Sequence, residues 1–309
     1  MIRYKIIANP TSGRGAGEQS IPLIQNQLNQ YKMNYDIIRT EKPQHAINLA
    51  EQAVKDGYDI IVSVGGDGTA NEVLNGIMNA NQKGVGSSVM GIISVGRGND
   101  FGYGANIPKG VDAACKTLLD DYRMKIDVGK ATGGNYPEGR YFGNGVGIGF
   151  DAVVGFEAQK IKKIQGFLNY MVAALKTMFL YYNAPLLSLE YNGNTITQNC
   201  LLVSVMNGRR MGGGFMMAPE ASNHDGLFDL CIGGKLTRPG ILALIPRFMK
   251  GTQASHPKII TGRTNKLTVK AINGSLPAHA DGETLCTEGK ELVLEILPQQ
   301  LEIICQPYE

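Results

Sequence analysis

The sequence predicts an α/β N-terminal domain, doubly wound, followed by a β-rich C-terminal domain. Up to about residue 126, short apolar runs alternate with helical patterns. Those runs are continuously apolar rather than alternating, as in a parallel sheet covered on both faces. Beyond that point strand-like runs follow one another with turn signals between them. The 309 residues, 43% of them hydrophobic, suffice for two such cores. The domains are expected at 1–128 and 129–296, with the last strand, 297–309, returning to the first.

In chain order, "YKIIANP" reads as a short strand stopped by Asn9-Pro10, and "GAGEQSIPLIQNQLNQY" as a helix. "NYDIIRT" is a second strand, ending at Thr40. In "QHAINLAEQAVKDG", Ala46, Leu49, Ala50, Ala53 and Val54 recur at helical intervals, and Gly57 is a natural stop. "YDIIVSVGG" is a third strand, followed by a helix expected to start near Ala70. "VMGIISVGRGND" is a fourth strand with a glycine-rich end.

The second part offers "RYFGNGVGIGF", "LLSLEYNGNTITQNCLLVSVMNG", "LFDLCIGG", "KLTVKAI" and "ELVLEILPQQLEIICQP" as strands. Asn192-Gly193 between strand formers signals a hairpin. Residues 166–182 and "RPGILALIPRFMKG" are the two helical stretches there. The first approaches the length of a membrane span, but Asn169 and Lys176 interrupt it, so a buried helix is expected, with a membrane-touching helix as the alternative.

A net charge of +3 with no basic stripe argues against nucleic acid. A mildly basic face still suits an anionic membrane surface. Five scattered cysteines without Cys-x-x-Cys spacing argue against a disulfide framework and against a zinc site. Met1 leads directly into a strand-like run, so a cytoplasmic chain with peripheral membrane contact is expected.

The polar, glycine-rich signals sit at strand ends: "NPTSGRG", "RTEKP", "GGDGTANE" and "GRGND". Ligands of open α/β sheets bind outside the carboxyl ends of the strands. Gly65, Gly66 and Gly68 allow a sharp turn and close approach, and the following helix start suits phosphate. Asp67 would repel phosphate unless it holds Mg²⁺; the alternative is a helix cap. There is no Walker A pattern, and "GRGND" is too short for a dinucleotide fingerprint. Asp225-Gly226 and Asp281-Gly282-Glu283 read either as hairpin turns or as functional carboxylates. In an extended chain Asp281 and Glu283 would share one face.

"VGGDGTANEVLNG", "GRGNDF", "YFGNGVGIGFDA", "APEASNHDGLFDL" and "ADGE" occur in the order seen in the diacylglycerol kinase catalytic domain superfamily. The chain resembles this superfamily over nearly its whole length, and most of all its bacterial soluble lipid kinases. "GGDGT" alone is shared with NAD kinases and phosphofructokinases; the late motifs narrow it. The resemblance implies an NAD kinase/diacylglycerol kinase-like fold. It also implies ATP-dependent phosphorylation of the hydroxyl of diacylglycerol or a related lipid, met at the membrane surface.

The resemblance further implies that Asn9, Pro10, Thr11, Ser12, Gly13, Thr40, Gly65, Gly66, Asp67, Gly68, Thr69, Ala70 and Asn71 cradle ATP. Asp67, Asp100 and Glu283 would hold or order the catalytic Mg²⁺, and Asp281 would be the general base, a role for which Asp67 competes. A structural metal would use Asp225 with the carbonyls of Ser222 and Leu227. One loop departs from the family pattern. Arg97 replaces a Thr, which would add a phosphate contact, and Tyr103 replaces an Arg. The methionines of "MNGRRMGGGFMM" read as ordinary core, or else as lining for acyl chains. The alternatives kept are an NAD kinase-like enzyme with a soluble substrate and a non-catalytic binding protein. A homodimer is one possible assembly.

Overall fold

The run β3 (Ile60–Gly65) is buried at every position. A strand reaches that state when helices cover both faces of its sheet. The computed structural model, which describes residues 2–161, 166–180 and 182–308, has this arrangement in the first of its two units. That unit comprises Met1–Asp127 and Gln299–Glu309; the second is Val128–Pro298.

In the first unit β1 (Arg3–Ala8) pairs in parallel with β2 (Asn34–Arg39) and with β3. β4 (Val89–Ser94) pairs in parallel with β3 on its other side. Helices α1 (Ala16–Gln30), α2 (His45–Lys55), α3 (Asp67–Gln82), α4 (Asp100–Gly104) and α5 (Val111–Asp120) connect the strands. One face packs Ile6, Ile60 and Val62 against Ile24 and Leu28 of α1 and Leu118 of α5. α2 and α3 pack together closely enough that a Cβ on Gly76 would lie 2.4 Å from the carbonyl oxygen of Ile47. Glu72 of α3 accepts the backbone N–H groups of Gln44 and Ala46 and so satisfies the start of α2. This gives "ANEVLNG" a packing reason for both its Glu and its last Gly. α3 begins at Asp67, earlier than the expected Ala70, with Gly66 as its N-cap.

β5 (Arg123–Gly133) leads into the second unit, which is mostly antiparallel. β6 (Tyr136–Phe142) and β7 (Gly145–Gly149) follow, where the sequence suggested one strand. Helix α6 (Phe150–Lys160) comes next, and the sequence reading missed it. After α7 (Gly166–Leu180) come β8 (Leu186–Tyr191) and β9 (Asn194–Met206). These two are joined through Asn192 and Gly193 at φ +50° and +73°, the left-handed pair a tight hairpin needs. β10 (Phe228–Gly234), α8 (Arg238–Lys250), β11 (Ile259–Thr264) and β12 (Lys266–Asn273) follow. β13 (Leu276–Ala280), β14 (Glu283–Gly289) and β15 (Glu291–Ile304) complete the order. The long β9 pairs with β8 in its first half and with both β7 and β10 in its second. β15 pairs with β12 through Glu291–Glu295, and its end, at Ile303, pairs in parallel with β4.

Residues 166–182 form α7 through Leu180; Tyr181 lies outside the described residues. Both polar residues that interrupt this stretch tie α7 to α6. Buried Asn169 donates to the Ala158 carbonyl at 2.8 Å, and Lys176 pairs with Glu157 at 2.6 Å. Lys160 and Lys176 together hold the Glu157 carboxyl below the usual carboxylate range. Among the described residues no helix is long and apolar enough to cross a membrane. Met206, Met211 and Met217 pack with Leu244 and Phe248 of α8, which makes them core.

Candidate functional site

The first unit gathers its loops at the carboxyl ends of β1, β3 and β4. Asn9 organises the first of them. Its Oδ1 accepts the backbone N–H and the hydroxyl of Thr11, at 3.1 and 2.9 Å, and its Nδ2 donates to Thr69 Oγ1 at 3.1 Å. One asparagine thus shapes the turn after β1 and fastens it to the start of α3. Pro10 and Ser12 lie in that turn, with Ser12 N–H bonded to the Asn9 carbonyl. Gly13 has φ +57°, and a Cβ there would lie 2.2 Å from the Val95 carbonyl oxygen. Only glycine fits that position. Thr40, at the end of β2, is buried and donates its N–H to the Ala8 carbonyl at 2.8 Å.

The "GGDGT" and "GRGND" loops touch. A Cβ on Gly66 would lie 3.1 Å from Gly96 Cα. Gly65 precedes the turn, Gly68 lies in the first turn of α3, and Ala70 and Asn71 are buried. Asn99, itself at φ +53°, closes the second loop by bonding both ends of Gly96. Asp67 is the first helical residue of α3 and caps a different helix: its Oδ1 accepts the Phe101 N–H of α4 at 2.9 Å. Its Oδ2 borders the space beside Gly98. A Cβ there would meet Asp67 Oδ2 at 2.8 Å and Asp100 Oδ2 at 3.2 Å. Two carboxylate oxygens flanking one small space beside a helix start suit a hard divalent cation that also binds phosphates. Arg97 is half-buried in the same loop, and Tyr103 is exposed.

In the second unit Asp281 and Gly282, at φ +48° and +86°, form the turn between β13 and β14. The chain is not extended there, so the expected shared face of Asp281 and Glu283 does not arise from strand alternation. Asp281 is buried, and three backbone amides point at its carboxylate. Oδ1 accepts from Asn144 and Gly145 at 3.0 and 2.9 Å, and Oδ2 from Gly143 at 2.7 Å. These donors come from the break between β6 and β7. Glu283 is half-buried at the start of β14.

Asp225 is the one side-chain ligand of the expected structural metal, and here it is half of an ion pair. Its Oδ2 meets Arg263 of β11 and its Oδ1 accepts the Leu227 N–H. Arg263 stands directly across from Asp229 and lies 3.5 Å from its carboxylate. Burial pushes the Asp229 carboxyl up, and the guanidinium opposes that shift. The Ser222–Leu227 turn thus carries one carboxylate, Asp225, whose two oxygens meet Arg263 and the Leu227 N–H. Among the described residues no three His, Cys, Asp or Glu side chains cluster as a metal site.

Residues 3–131 match the diacylglycerol kinase catalytic domain, and residues 144–305 match the YegS C-terminal NAD kinase beta sandwich-like domain. A diacylglycerol kinase of Staphylococcus aureus (strain bovine RF122 / ET3-1) is 30% identical over 282 residues, 91% of this chain and 86% of the relative. That of strain JH9 matches to the same extent. The crystal structure of a diacylglycerol kinase from Bacillus anthracis str. Sterne superposes with a TM-score of 0.74 at 21% identity, covering 99% of this chain and 97% of that one. Another Bacillus anthracis crystal structure reaches 0.79 at 22% identity over the same shares. The two structures show the fold. Together the domains define a kinase architecture, an α/β unit followed by an NAD kinase-like β unit. The chain belongs to the diacylglycerol kinase family. Membership supports a phosphotransferase of the kinase type.

Proposed function

We propose that this protein transfers the γ-phosphoryl group of ATP to the hydroxyl of diacylglycerol. The observation that carries the reading is the match, over 91% of the chain, to relatives named diacylglycerol kinase. The paired Asp67 and Asp100 oxygens at a phosphate-suited helix start support it from chemistry.

Phosphoryl transfer asks mainly for positioning and charge neutralisation. In this reading the turn of Asn9 to Gly13, Thr40 and the loop from Gly65 to Asn71 bind and orient the nucleotide, with Arg97 adding a phosphate contact. Asp67 and Asp100 would hold Mg²⁺, with Glu283 ordering it. When bound, that ion neutralises charge developing on the phosphate oxygens. Asp281 takes the proton from the lipid hydroxyl, and its amide cradle keeps the carboxylate fixed while it does so.

The lipid is met at the membrane surface. Leu168, Val172 and Phe179 are exposed along one side of α7, spaced by four and seven residues, with Lys176 among them. Such a face suits partial immersion in an anionic interface.

The test supplies purified protein with Mg²⁺-ATP and diacylglycerol in mixed micelles, and NAD as a soluble competitor acceptor. Phosphatidic acid is the expected product. Phosphorylated NAD, or no lipid product, would overturn the reading. In vesicle co-sedimentation, Leu168→Ser with Phe179→Ser should weaken binding to anionic vesicles by about tenfold or more. Unchanged binding would remove α7 as the contact.

A further inference from the structure

Asp281 and Gly282 sit at φ +48° and +86°, the left-handed turn that an Asp-Gly pair favours. The Asp281 carboxylate is held by the 143–145 amides on one side. On the other, a row of polar side chains reaches the same turn from inside the sheet. His279 Nδ1 accepts the N–H of Gly282 at 3.3 Å. A neutral imidazole that accepts at Nδ1 carries its proton on Nε2.

That second nitrogen borders Asp151. A Cβ built on Gly147 would lie 2.6 Å from His279 Nε2 and 2.8 Å from Asp151 Oδ2. Asp151 Oδ2 also accepts the Ser204 hydroxyl at 2.8 Å. Strand register explains the meeting. On neighbouring strands Gly147 stands opposite Ser204 on one side and His279 on the other. Glycine in the centre leaves the space into which Asp151, from the first turn of α6, projects. Ser204 and His279 are buried, and burial favours the neutral imidazole and raises the Asp151 carboxyl.

Polar groups buried in an apolar sheet cost free energy unless they are bonded. Ser204 is bonded to Asp151, the Asp151 carboxylate faces His279 Nε2 across the space at Gly147, and His279 in turn accepts from the residue next to Asp281. We propose that Ser204, Asp151 and His279 form a positioning relay that fixes the Asp281–Gly282 turn and so aims the Asp281 carboxylate. The inference rests on the role given above to Asp281, but part of its test does not.

His279→Leu removes both ring contacts, whereas His279→Asn keeps an acceptor near the Nδ1 position. Kinase kcat and KM, thermal midpoint, and amide hydrogen exchange at 143–145 and 282 are measured for both and for Ser204→Ala. His279→Leu should lower kcat by about 10²-fold with both KM values unchanged, because a small misplacement of a reacting group has that effect. Exchange should quicken at 143–145 and 282 and not across the sheet. His279→Asn should recover much of the rate, and Ser204→Ala should show a smaller loss in kcat alone. An unchanged kcat, a loss confined to KM, or exchange that rises uniformly with a fall in thermal midpoint would overturn the relay. Should the wild type phosphorylate no lipid, the proposed function fails. The relay is then judged by exchange alone, and unaltered protection at 143–145 and 282 in His279→Leu would overturn it.

Discussion

Asp281→Asn is expected to lower turnover with diacylglycerol by about 10²–10⁴-fold, the range for loss of a general base. The substitution also disturbs the cradle. Asparagine has one acceptor oxygen and one donor nitrogen, whereas all three neighbouring groups are N–H donors, from Gly143, Asn144 and Gly145. Either amide orientation sets a donor against at least one of them. Losing one charge-assisted bond of this kind costs about 1.5–3 kcal/mol, so the thermal midpoint should fall as well. Rates are therefore compared well below the variant's own midpoint, with KM for ATP as the control. A folded Asp281→Asn protein that turns over like wild type would remove Asp281 from the chemistry.

Much of this fold was legible because its signals are local. The largely apolar run Ile60–Gly65 read correctly as a strand buried on both faces. Asn192-Gly193 read correctly as a hairpin because its positive φ values depend on those two residues alone. α6 was not legible. "GVGIGFDAVVGF" stays apolar across the junction, so the strand and the helix that follows show no change of period. The early start of α3 was hidden in the same way, since Gly66 and Gly68 read as turn rather than helix.

At the candidate site, the motifs and the family they resemble named the carboxylates but not what holds them. Backbone amides hold Asp281 and Asp67, and an amide has no residue signature. Ser204, Asp151 and His279 lie far apart in the chain and meet through strand register, which single-sequence spacing does not carry. Arg263 reaches Asp225 for the same reason, as the cross-strand neighbour of Asp229.

Asp67→Asn should be the cleaner of the two carboxylate substitutions. Its Oδ1 accepts the Phe101 N–H, a bond an asparagine oxygen can keep. The new amide nitrogen would take the place of Oδ2, beside Asp100 Oδ2, where it can donate instead of repel. Without divalent cation the variant should be no less stable than wild type. With Mg²⁺, wild type should gain thermal midpoint as the ion binds the folded state, and the variant should gain little. In the kinase assay kcat should fall by about 100-fold, equivalent to about 2.7 kcal/mol of transition-state stabilisation. The Mg²⁺ concentration for half-maximal rate should rise with it. If the rate falls while the Mg²⁺ dependence of rate and stability matches wild type, the cation is held elsewhere and Asp67 acts through another route, such as the proton transfer assigned here to Asp281. Comparing the two substitutions thus decides between the two aspartates: a shift in metal dependence confined to Asp67→Asn assigns the ion to Asp67 and leaves the proton to Asp281.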